Sequence, residues 1–92
     1  MKKAVKLVVD GTVQGVFFRQ FVKDSADKFG LFGFVRNLED GNVEVVLEGD
    51  GDKITQIIEI IKKGPEHSQI RNVSVEEQKF SGEFKEFKVL RI

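Results

Sequence analysis

The residues whose types and spacing best suit chemistry lie between Gly11 and Arg19, in GTVQGVFFR. Two glycines bracket Thr12, Val13 and Gln14, and two phenylalanines then lead to Arg19. Glycine lets successive backbone N–H groups converge on one point and form a concave anion nest. A guanidinium a few residues further on offers a planar fork suited to phosphate oxygens. Each charge-assisted bond to such an oxygen contributes about 1.5–3 kcal/mol, so several together would trap an oxyanion. A tight strand-to-helix turn with a surface arginine accounts for the spacing about equally well, because isolated glycine patterns carry little information. Phe17 and Phe18 favour a site, since two aromatic rings on a loop would wall it from water and strengthen its electrostatics.

Residue types exclude several other phosphate chemistries. The chain has no cysteine, hence no thiolate nucleophile, no disulfide and no Cys-ligated zinc. A P-loop needs Gly-Lys-Ser/Thr after a four-residue gap, whereas Gly15 is followed by Val16 and the loop has no lysine. The single histidine, His67, follows Glu66 after a turn and reads as solvated. That leaves no ligand set for a metal and no persuasive Ser-His-Asp triad. No metal and no cofactor are expected.

A second polar pair, Arg36 and Asn37, precedes an Asp40-Gly41 turn. If all strands share one sheet, Asn37 would project toward the glycine loop. Taken alone, an asparagine that caps a strand end is the favoured reading.

The elements that must position these residues follow from periodicity. KAVKLVVD alternates, with Val5, Leu7 and Val9 on one face of a first strand. From Phe18 the period lengthens, and Phe18, Phe21, Val22, Ser25, Ala26 and Phe29 trace one stripe of a helix stopped by Gly30. GFVRNLEDGNVEVVLEG reads as a hairpin about Asp40-Gly41, with Val43, Val45 and Leu47 opposite Glu44, Val46 and Glu48. Asp50 or Asp52 would cap a second helix through Ile54, Ile57, Ile58 and Ile61, ended by Gly64-Pro65. IRNVSVEEQ supplies a fourth strand and EFKEFKVLRI a short fifth. The order β-α-β-β-α-β with an extra C-terminal strand predicts a ferredoxin-like split βαβ sandwich, two helices covering one face of an antiparallel sheet.

With 92 residues the chain is expected to form a single domain over 1–92. Its 15 Lys+Arg balance 15 Asp+Glu, so there is no global attraction to nucleic acid or anionic lipid. No apolar run spans a membrane, and the basic N-terminus reads as a strand rather than a signal peptide. A cytoplasmic monomer is expected.

GTVQGVFFR (Gly11–Arg19) and GLFGFVRNLEDGNVEV (Gly30–Val45) closely resemble the two signature segments of the acylphosphatase family. Gly64-Pro65 and the overall length extend the resemblance over nearly the whole chain. It implies a hydrolase that cleaves the carboxyl–phosphate bond of acyl phosphates. By that resemblance Arg19 and the amides of Gln14, Gly15, Val16, Phe17 and Phe18 would bind the phosphoryl group, and Asn37 would hold the attacking water. Two positions depart from the family: Phe34 replaces a larger aromatic, and Phe17 stands where a small residue is often found.

RNA-recognition domains share the element order, and LFGFVRN overlaps their aromatic strand signature. Leu31 sits where that signature has glycine and Asn37 where it has a stacking aromatic, on the second strand rather than the third. This reading ranks second. A non-catalytic anion-sensing module is a third.

Overall fold

The computed structural model describes residues 1–12, 15–66 and 68–91. In chain order the elements are β1 (Lys2–Thr12), α1 (Gly15–Lys28), β2 (Phe32–Asn37), β3 (Val43–Asp50), α2 (Gly51–Lys63), β4 (Gln69–Gln78) and β5 (Phe87–Leu90). The strands form one sheet in the order β4-β1-β3-β2-β5. All neighbours are antiparallel except β5, which runs parallel to β2. The expected all-antiparallel sheet is therefore mixed. The long connection from β4 has room to carry the chain across the sheet before β5 begins, so the last strand enters on the far edge in the direction of β2.

Alternation places Val5, Leu7 and Val9 of β1 beside Val43, Val45 and Leu47 of β3, with all six buried on one face. Both helices lay their apolar stripes on that face. α1 packs on β2 and β5, and α2 packs on β3, β1 and β4. From α2, Ile54, Ile57 and Ile61 are buried, each contributing about 1.5–3 kcal/mol relative to an exposed side chain. From α1, Phe18, Val22 and Ala26 join the same core. Lys23 ties α1 to the sheet edge by donating from Nζ to the Phe87 carbonyl at 3.1 Å.

The end of α1 is a Schellman motif. The Gly30 N–H donates to the Asp27 carbonyl at 3.1 Å and the Leu31 N–H to the Ala26 carbonyl at 2.9 Å. Gly30 takes φ 68°, a left-handed conformation that an L side chain resists. Leu31, immediately after, is buried in the core. Asp50, one of the two expected cap positions, is the N-cap residue of α2, although its side chain makes no capping hydrogen bond. It lies 3.6 Å from the N-terminal ammonium instead.

The second face of the sheet is less open than its polar alternation suggests. Glu44 and Glu48, expected on a solvent face, are 9% and 5% exposed. Glu44 accepts from Arg36 Nε at 2.7 Å. Glu48 accepts from Ser81 N and Oγ at 3.0 and 2.9 Å and from Gly82 N at 3.0 Å. The β4–β5 connection thus folds over this face as a strap, and Phe84 of the strap meets Phe34 with ring centroids 6.0 Å apart.

Candidate active site

Strand register brings the two sequence blocks to one end of the molecule. β1 and β2 both run antiparallel to β3, so they are parallel to each other and their C-terminal ends coincide. Val43 pairs with Val9 on one side and with Asn37 on the other. Directly opposed residues share a face, so Val9, Val43 and Asn37 form one row on the helix-covered side. With strands about 4.8 Å apart, Asn37 stands about 10 Å across the sheet from Val9, the residue that leads β1 toward the glycine loop.

Asn37 ends β2 and is exposed. Beyond it the chain turns tightly: the Leu38 N–H donates to the Asn42 carbonyl at 2.8 Å and the Gly41 N–H to the Leu38 carbonyl at 3.1 Å. The Asp40 carboxylate accepts from Asn42 N at 2.9 Å. On the opposite face, one residue back, the Arg36–Glu44 ion pair bridges β2 to β3. These bonds fix the end of the hairpin that carries Asn37.

α1 returns antiparallel to β1, so its N-terminus lies at the end of the sheet where Asn37 stands. The helix packs on β2 and β5. α1 starts at Gly15, not at Phe18 as periodicity predicts. Gly15, Val16, Phe17 and Phe18 therefore belong to the first turn of a helix rather than to a loop. The chemical consequence is small, because the first four N–H groups of a helix have no intrahelical acceptor and sit at the positive end of its dipole. The first turn of α1 contains no acidic residue, whereas α2 carries Asp52 in its own. The α1 terminus is the one that favours an outside anion. Arg19, half-buried, follows one residue later. Gln14 lies outside the described residues.

The two phenylalanines do not form a common wall. Phe18 is 2% exposed in the core, while Phe17 is 86% exposed. Consecutive helical residues point about 100° apart, so a helical start at Gly15 necessarily separates them.

Sequence reasoning missed the bulge that launches the loop. In the β1–β4 pairing Asp10 opposes Asn72 but Gly11 opposes Ile70, leaving Arg71 as the extra residue. Gly11 adopts φ +150°, and a Cβ there would stand 2.1 Å from the Gln69 carbonyl oxygen. Arg71 is tied back by its Nη2, 2.9 Å from Asp10 Oδ1. A lone glycine in a strand is a signal for such a bulge, whereas the sequence reading makes Gly11 part of the anion nest. Among the described residues no group of three or more His, Asp or Glu side chains is arranged to hold a metal ion.

The architecture is that of a ferredoxin-like α+β sandwich. The acylphosphatase family model matches residues 5–89. An acylphosphatase from Pyrobaculum islandicum is 45% identical over 85 residues, 91% of this chain and 90% of that protein. One from Syntrophobacter fumaroxidans is 41% identical over 88 residues, 96% of this chain and 91% of its own length. The crystal structure of acylphosphatase from Bacillus subtilis superposes with a TM-score of 0.91 at 36% identity, covering 99% of this chain and all of that one. The chain belongs to the acylphosphatase family and is an enzyme of that hydrolase class.

Proposed function

We propose that the chain hydrolyses the carboxyl–phosphate bond of small acyl phosphates without a metal, with Arg19 and the amides at the start of α1 as the phosphate site and Asn37 as the holder of the attacking water. The observation that supports this reading is the shared row of Val9, Val43 and Asn37 on the face of the sheet that the helices cover. The Gln14, Gly15, Val16, Phe17 and Phe18 amides and the Arg19 guanidinium surround the phosphoryl oxygens and offset their charge as it spreads in the transition state. Asn37 presents a neutral amide that orients water without repelling the dianion. Water oxygen bonds to phosphorus, the phosphorus–oxygen bond to the acyl group breaks, and a carboxylate leaves with the bonding pair. The water's proton passes to a phosphate oxygen. A carboxylate is a stable leaving group that needs no protonation, so positioning and charge stabilisation are the chemistry required.

The reading includes a cytoplasmic monomer with no nucleic-acid partner. Its net charge of zero gives weak electrostatic capture of a polyanion, and the strap from β4 to β5 lies over the sheet face that an RNA would use. Among the described residues no helix is long and apolar enough to cross a membrane. The test is hydrolysis of benzoyl phosphate, followed by its ultraviolet absorbance, with and without a chelator. Fast turnover in both conditions is expected. Turnover abolished by chelator and restored by a divalent cation overturns the metal-free mechanism.

A further inference from the structure

The machinery above recognises a phosphoryl group and leaves the other half of the substrate without a contact. The direction in which that half points follows from geometry. In an in-line displacement the attacking oxygen and the leaving oxygen lie on opposite sides of phosphorus. If water is held by Asn37, it arrives from the sheet side, because Asn37 shares a row and a face with buried Val9 and Val43 beneath α1. The acyl group then points away from the sheet, toward solvent, past the first turn of α1.

Phe17 occupies that turn and is 86% exposed. Its neighbour Phe18 points into the core at 2% exposure, so Phe17, rotated by about 100°, stands on the outer flank of the helix. Helical side chains also lean toward the helix N-terminus, which carries the Phe17 ring back toward the anion site rather than along the helix. Single exposed aromatics are ordinary on protein surfaces. Phe17 differs in belonging to the first turn of α1, whose N–H groups form the proposed anion site, on a flank turned away from the core.

We infer that Phe17 is a specificity-determining residue: its ring packs against the acyl group and favours acyl phosphates whose acyl part is aromatic or otherwise large and apolar. This rests on the hydrolase reading proposed above. An aromatic pair of this kind contributes about 0.5–1.5 kcal/mol, which corresponds to a preference of about 2- to 10-fold.

The test compares kcat/KM for benzoyl phosphate with that for acetyl phosphate in the wild-type chain, in Phe17→Ala and in Phe17→Tyr. Taking the ratio within each variant cancels differences in the amount of folded enzyme and in the phosphate site. The benzoyl-to-acetyl ratio is expected to fall about 3- to 10-fold in Phe17→Ala and to remain within about twofold of wild type in Phe17→Tyr. A ratio that does not change in Phe17→Ala overturns the assignment and leaves the hydrolase reading standing. A ratio that falls as far in Phe17→Tyr as in Phe17→Ala also overturns it, because tyrosine keeps the stacking surface. A wild-type chain that hydrolyses neither acyl phosphate overturns both.

Discussion

Arg19 and Asn37 divide the proposed reaction between them, and that division is testable one residue at a time. Arg19 meets charge present in the substrate, the product phosphate and the transition state alike. Arg19→Ala is therefore expected to weaken competitive inhibition by inorganic phosphate and to lower turnover together. Asn37 acts on the water, which inorganic phosphate does not require. Asn37→Ala is expected to keep phosphate inhibition near the wild-type value while lowering kcat on the order of 10²–10³, the usual loss for one preorganised polar group. Both kinetic constants come from one assay series; equal losses of phosphate inhibition in the two variants would remove the separate role of Asn37. Arg19 was legible in the sequence because a guanidinium beside paired glycines is chemically conspicuous. By residue type Asn37 was not, since asparagine at a strand end has an ordinary use; the family resemblance alone put it forward. The register sets it in one row with Val9 and Val43.

At the scale of elements, the loop depends on the strand that feeds it. The bulge at Arg71 of β4 faces β1 between Asp10 and Gly11, and only a residue without Cβ fits at Gly11. Gly11→Ala must either open the pairing with β4 or move the Gln69 carbonyl, at a cost of about 1–3 kcal/mol for the backbone strain alone. The expected result is a lower urea midpoint together with a loss of turnover, since the same shift moves the loop. Retained turnover with wild-type stability would show that the bulge does not aim the loop. Elements themselves were mostly legible: alternation marked β1 and the hairpin, and three- and four-residue steps marked both helices. The start of α1 was misplaced by three residues, at Gly15 instead of Phe18. Phe18 is the first residue of the buried stripe, and exposed Phe17 before it adds nothing to the periodic signal.

For the molecule as a whole, the end proposed to bind substrate and the strapped end are separate. Glu48 pairs with Lys3's neighbour Ala4 on one side and with Phe32 on the other, at the far end of the sheet from Asn37. Its carboxylate holds the β4–β5 strap by accepting three hydrogen bonds. Glu48→Gln replaces one acceptor oxygen by a donor that faces other donors, at a cost of about 1–3 kcal/mol. Amides of residues 79–86 are expected to exchange faster with solvent deuterium in this variant, while kcat stays within about twofold of wild type. Unchanged exchange would show that the strap is held by Phe84 packing instead.

The sequence by itself determined the element order, the two-layer sandwich, the apolar face of each strand and the chemistry available to the glycine segment. Those properties are local: they follow from period, turn residues and side-chain type within short windows. Tertiary structure alone decided that β5 joins β2 in parallel, that Glu44 and Glu48 are buried, and that Asn37 shares a row with Val9 and Val43. Each of these depends on contacts between residues distant in sequence, and a single strand's pattern carries no information about the register or direction of its neighbour.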